Sequence, residues 1–85
     1  MAHVTVYSGP DCPYCDRAKK LLIKKGVAFE EFNVRTDKAK LDDMIRLSKG
    51  RKTIPQIFIN EQHIGGCDDL YALDAAGQLD SLLRS

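Results

Sequence analysis

Two cysteines, Cys12 and Cys15, stand three residues apart in the run Ser-Gly-Pro-Asp-Cys-Pro-Tyr-Cys-Asp-Arg, residues 8–17. Thiols at that spacing have three chemical uses. They grip a zinc ion, hold a static crosslink, or form a disulfide whose making and breaking is itself the reaction. Helical residues three apart face the same side, with Cβ atoms about 5–6 Å apart. A disulfide needs about 3.8 Å, so a small adjustment at a helix end closes the bond. A helix N-terminus also favours a thiolate, through its unpaired N–H groups and the positive end of its dipole. Cys12 falls at that end, with the N–H groups of Tyr14 and Cys15 in reach, and Cys15 lies one turn deeper. Cys12 is therefore the candidate nucleophile and Cys15 the resolving thiol. Zinc remains an alternative, with His63 and Cys67 as further ligands, although a second Cys-X-X-Cys is missing. Two buried thiols without chemistry are the plain alternative.

The elements needed to hold that pair are legible around it. His3–Tyr7 is short, β-branched and alternating, as in a central strand. Pro13 suits a first helical position, where its missing N–H is not needed. Ala18, Leu21 and Leu22 then recur at helical spacing, lysines cover the outer face, and Gly26 marks the stop. Phe29–Val34 reads as a second strand, although its pattern slips phase between Phe29 and Phe32. Strand, helix, strand makes a βαβ unit with parallel strands. Thr36 or Asp37 caps a second helix over Lys38–Lys49, with Leu41, Met44, Ile45 and Ser48 as its stripe and Gly50 as its end. Gln56–Asn60 is a third strand and Glu61–Ile64 a fourth, returning after a tight turn. A third helix opens at Cys67, and Gln78–Arg84 adds a final helical turn or two. These elements predict an α/β fold: a four-stranded mixed sheet of order 2-1-3-4 with helices on both faces. Strands 3 and 4 are expected antiparallel to the first two.

The chain has 85 residues, room for one small domain over residues 1–85. Thirteen basic and twelve acidic residues leave a net charge of +1, which argues against nucleic acid as a partner. No apolar run approaches the roughly 20 residues of a membrane span. The N-terminus reads as a strand and not as a signal peptide, so the cytoplasm is the expected compartment, where disulfides are usually transient and catalytic. Three cysteines, an odd number, fit a static disulfide framework poorly.

Cys-Pro-Tyr-Cys, Thr-Ile-Pro-Gln-Ile-Phe-Ile-Asn (53–60) and Gly-Gly-Cys-Asp-Asp-Leu-Tyr-Ala-Leu (65–73), in this order, resemble the dithiol glutaredoxins of the bacterial glutaredoxin 3 type. The resemblance covers nearly the whole chain. It implies a thioredoxin fold and a monomeric enzyme that reduces protein disulfides and protein–glutathione mixed disulfides, with glutathione as co-substrate and no metal. It implies a cis bond at Ile54–Pro55, leaving the Ile54 N–H and C=O free to face Cys12 and pair with glutathione's cysteinyl residue as a short strand would. Gly66, Cys67 and Asp68 would take the γ-glutamyl end, with Asp68 on its ammonium. Asp69 is either a second ligand or only a partner for the helix dipole. Cys67 reads as a packed residue and not a third redox thiol. Tyr14 would wall the groove. Thr53 belongs to the same loop, and Arg51 and Gln56 are the candidates for the glycyl carboxylate. His3 and His63 carry no expected role. Some relatives instead bridge an iron–sulfur cluster between protomers, a use that Pro13 and the competing Cys15 disfavour.

Two positions depart from the family pattern. Where the family commonly has Lys, three residues before the first cysteine, this chain has Gly9; where it commonly has Thr, directly before that cysteine, it has Asp11. A lost cation and a gained anion both disfavour a thiolate. The expectation is a less acidic Cys12 and weaker glutathione use.

Overall fold

The computed structural model describes residues 2–84; Met1 and Ser85, the ends of the expected 1–85 domain, lie outside the described residues. In chain order the elements are β1 (Val4–Ser8), α1 (Pro13–Lys24), β2 (Glu30–Asn33), α2 (Lys38–Leu47), β3 (Gln56–Ile59), β4 (Gln62–Gly65), α3 (Cys67–Ala75) and α4 (Leu79–Arg84). The strands form one sheet of order β2-β1-β3-β4, as the sequence predicts. β1 pairs parallel with β2 and antiparallel with β3, and β3 pairs antiparallel with β4. The expected direction of the fourth strand is corrected by that last pairing. A hairpin reverses the chain, so β4 runs antiparallel to β3 and therefore in the same sense as β1 and β2. The hairpin turns on Asn60 and Glu61, both left-handed at φ 51° and 67°, the geometry that matches the twist of the flanking strands.

Alternation along the two central strands sorts the core into two layers. Val4, Val6, Ile57 and Ile59 face Ala18, Leu21 and Leu22 of α1, Leu70 of α3, and Leu79 and Leu83 of α4. Tyr7 and Phe58 face the other way, onto Met44 of α2. The phase slip in the second strand is real: Phe29 packs on the first layer, Phe32 and Val34 on the second. Within the edge strand β2, Glu31 faces α1 instead of an apolar residue. It accepts from Ser8 Oγ at 2.6 Å and Lys19 Nζ at 2.8 Å, and these two bonds, Lys19's first, hold its carboxyl below the usual carboxylate range.

The helix that carries the cysteines is tied down behind them. Lys25, just past its C-terminus, meets Asp74 Oδ1 at 2.7 Å and Asp80 Oδ1 at 3.1 Å. Tyr71 of α3 donates its hydroxyl to the Arg17 carbonyl at 3.2 Å. The capping residue of α2 is Asp37, whose carboxylate accepts from the Lys40 N–H.

Candidate active site

Cys12 is the N-cap residue of α1 and Pro13 its first helical residue. The Cys12 carbonyl begins the helical ladder by accepting from the Asp16 N–H at 3.1 Å. Its sulfur accepts the Cys15 N–H at 3.1 Å; of the two donors expected from the sequence, only this one is bonded to it among the described residues. The two sulfurs are joined as a disulfide, with Cα atoms 5.2 Å apart. Cys12 is half-buried and Cys15 wholly buried, so an incoming thiol meets Cys12 first.

Asp11, beside this sulfur, is exposed and holds a left-handed backbone at φ 55°. Aspartate and asparagine tolerate that conformation, whereas a β-branched threonine is strained in it. The charge is therefore best removed by Asp11→Asn. In the reduced protein, ultraviolet thiolate absorbance against pH should show Cys12 ionising at lower pH in Asp11→Asn than in the wild type. Superimposable titrations would rule out Asp11 as a brake on the thiolate.

The loop before β3 approaches from the opposite side. The Ile54–Pro55 peptide is cis, and the Ile54 carbonyl oxygen lies 4.0 Å from Cys12 Sγ. Ile54 precedes the first β1–β3 ladder pair, Tyr7–Gln56. Beside it opens a groove of about 290 Å³ lined by Tyr14, Arg51, Thr53, Ile54, Pro55, Gly66, Cys67, Asp68 and Asp69. Eight of the nine glutathione-site residues expected from the sequence thus share one cavity, next to the cysteine pair. Tyr14 stands 54% exposed at its wall, with the Arg17 guanidinium 5.6 Å from its ring centre.

Gln56 is the exception, and its expected contact with the glycyl carboxylate is corrected. It is fully buried and does not line the groove. Its amide donates to the Thr53 carbonyl at 3.0 Å and to Thr53 Oγ1 at 3.1 Å, and its Oε1 lies 2.7 Å from His63 Nε2. An acceptor there requires His63 to carry its proton on Nε2. Gln56 therefore steadies Thr53 from beneath, and His63, expected to have no role, completes the chain. Burial, and then the Arg51 charge, hold the His63 imidazole below its usual range.

The far rim is the start of α3. β4 carries a bulge opposite Ile57 and Phe58, which turns the chain into the helix. Gly65 adopts φ 120°, and a Cβ there would fall on the Asp69 carboxylate. Asp69 Oδ2 accepts the Gly66 N–H at 2.9 Å and sits 3.6 Å from Arg51 Nη1. Asp69 therefore caps the helix and also lines the groove. The N–H groups of Cys67 and Asp68 open the helix with no carbonyl ahead of them, a natural seat for a carboxylate. Cys67 is buried, and burial, followed by the Asp68 charge, pushes its thiol above the usual range. Among the described residues no three His, Cys, Asp or Glu side chains gather into a metal site.

A family model described as Glutaredoxin matches residues 4–64. Glutaredoxin 3 of Escherichia coli (strain K12) is 60% identical over 84 residues, spanning 99% of this chain and 100% of that protein. The solution structure of glutaredoxin from Brucella melitensis superposes with a TM-score of 0.84 at 51% identity, covering 98% of this chain and 89% of that one. The crystal structure of the buckwheat glutaredoxin–glutathione complex superposes with a TM-score of 0.87 at 29% identity, covering 98% of this chain and 77% of the other.

Proposed function

The chain belongs to the glutaredoxin family, and from that premise we propose which of its residues perform each step of the reaction. It is a glutathione-dependent thiol–disulfide oxidoreductase with a thioredoxin fold, acting through the Cys12/Cys15 dithiol. Our assignment rests on one observation above all: the Cys12 sulfur caps α1, takes the Cys15 N–H, and lies 4.0 Å from the carbonyl oxygen of Ile54, a residue that lines the groove. A hydrogen bond to the charged form of an acid favours that form, so the capped sulfur is the one poised as thiolate.

In the first step the Cys12 thiolate attacks the glutathione sulfur of a protein mixed disulfide. The old S–S bond breaks, the protein leaves as thiolate and takes a proton, and Cys12 now carries the glutathionyl group. A second glutathione thiolate attacks that glutathionyl sulfur, releasing glutathione disulfide and the Cys12 thiolate. With a protein disulfide, Cys12 forms a mixed disulfide with the protein, and Cys15 loses its proton and attacks Cys12 to free the substrate. Two glutathiones then return the Cys12–Cys15 pair to the dithiol.

Glutathione fills the groove. Its cysteinyl backbone pairs with Ile54, its γ-glutamyl carboxylate sits on the Cys67 and Asp68 N–H groups, Asp68 meets its ammonium, and Arg51 meets the glycyl carboxylate. Thr53, Pro55, Gly66 and Tyr14 shape the walls. The buckwheat relative, solved as a glutathione complex, supports this placement. We further place the protein in the cytoplasm as a monomer of one domain, carrying electrons for cell redox homeostasis. No helix among the described residues is long and apolar enough to cross a membrane.

Turnover of a glutathionylated peptide should run on glutathione with glutathione reductase and fail with thioredoxin reductase alone. Asp68→Asn should raise the KM for glutathione about tenfold, the loss of one charge-assisted hydrogen bond, with kcat little changed. Equal turnover with thioredoxin reductase, or an unaltered KM, would refute the assignment.

A further inference from the structure

Gln56 lies buried behind the groove, and the direction of its hydrogen bonds is set by what surrounds it. Its amide meets two oxygens of Thr53, the carbonyl at 3.0 Å and Oγ1 at 3.1 Å. A carbonyl only accepts, so the Gln56 nitrogen faces Thr53 and its Oε1 faces away. Oε1 then meets His63 Nε2 at 2.7 Å, its one partner among the described residues. The register of the hairpin makes this meeting possible. Phe58 stands opposite His63, so Gln56, on the same face of β3, is the diagonal neighbour that a long side chain reaches. The Phe58 ring, 5.0 Å from the imidazole, supports it from one side.

The chain of bonds therefore has one polarity. His63 Nε2–H donates to Gln56 Oε1, and the two amide hydrogens of Gln56 go to the two Thr53 oxygens. Thr53 Oγ1 is an acceptor on that side, which leaves its own proton for the groove it lines. Turned round, the amide would set its oxygen against the Thr53 carbonyl and draw the Thr53 proton inward. A proton on His63 Nε2 holds the amide the first way; a proton on Nδ1 would make Nε2 an acceptor and favour the second. Burial, and then the Arg51 charge, hold the imidazole below its usual range, so near pH 7.5 the ring is neutral and has a single proton to place.

We infer that His63, although it does not line the groove, is a positioning residue for glutathione: through Gln56 it fixes the Thr53 hydroxyl as a hydrogen-bond donor facing the ligand. The inference deepens the glutathione reading above and rests on it. Glutathione carries two carboxylates and two peptide carbonyls, so a donor in the groove suits it and a second acceptor opposes it. His63 touches neither cysteine, so its loss falls on the KM for glutathione and spares kcat.

The test compares His63→Phe, which keeps a ring against Phe58 and lacks the donor, with His63→Gln, which returns an N–H at similar reach. The KM for glutathione should rise about fivefold in His63→Phe, with kcat within about twofold, and fall back to within about twofold of wild type in His63→Gln. In a Thr53→Val background, which has no hydroxyl to orient, His63→Phe should add no further rise. In the wild type near pH 7.5, side-chain nitrogen-15 shifts should show His63 protonated on Nε2, with His3→Gln used to assign the two histidines. A proton on Nδ1, an unmoved KM in His63→Phe, an equal rise in both His63 variants, or full additivity with Thr53→Val overturns the inference. The nitrogen measurement needs no change at His63, so it decides the matter even where His63→Phe fails to fold. Turnover by the wild type that does not depend on glutathione would instead refute the underlying function.

Discussion

Cys12→Ser should remove every glutathione-linked activity, by on the order of a thousandfold or more. A serine hydroxyl at the same helix cap still accepts the Cys15 N–H, so the fold and the groove persist. Disulfide exchange, however, proceeds by thiolate attack on sulfur, and the hydroxyl stays protonated at neutral pH. The remaining thiols do not substitute. Cys15 is wholly buried, and the Cys67 thiol is buried too, with burial pushing it above its usual range. The check is turnover of a glutathionylated peptide and of a protein disulfide by the same preparation, with thermal unfolding to show an intact fold. Activity comparable to wild type would transfer the nucleophile's role to another residue.

Cys15→Ser should separate the two reactions. Removal of glutathione from proteins needs only Cys12 and a second glutathione, so its rate should stay within about twofold of wild type. Reduction of a protein disulfide needs a thiol to attack the Cys12–protein intermediate. Cys15 performs that attack from within the same turn, an advantage that intramolecular placement makes worth several orders of magnitude. Its loss should slow dithiol turnover at least about a hundredfold, and the Cys12–substrate adduct should accumulate. Intact-protein mass measurement during turnover reads that adduct directly. A variant that reduces protein disulfides at the wild-type rate, without accumulating adduct, would show that glutathione alone resolves the intermediate.

Much of this site is legible in the sequence because its signals are local. Cys12-Pro13-Tyr14-Cys15 is a helix start, Thr53-Ile54-Pro55 precedes a strand, and Gly65-Gly66 opens a helix. Each motif carries its own geometry, and the sheet only has to bring the three together. Residues whose role depends on distant partners were harder to place. Gln56 looks like a free amide at a strand start, yet its partner His63 lies seven residues on, across the hairpin. Only the bulged register of β3 and β4 reveals that they meet. The direction of β4 differs in kind, for the hairpin that reverses the chain between β3 and β4 is itself readable in the sequence. The one-residue offset of β1, expected at His3–Tyr7 and found at Val4–Ser8, reflects His3 leaving the ladder to bond Asn60 of the hairpin turn through its N–H and carbonyl.

The catalytic helix is moored at its rear, where Lys25 meets Asp74 and Asp80, and at its flank, where Tyr71 holds the Arg17 carbonyl. Its leading tip is held differently, by the Cys15 N–H bond to Cys12 Sγ and by the approach of that sulfur to the Ile54 carbonyl oxygen. The helix is thus a cantilever. Disulfide exchange is thus placed at the end of the helix remote from its moorings, where the making and breaking of one bond bears least on the packed sheet behind it.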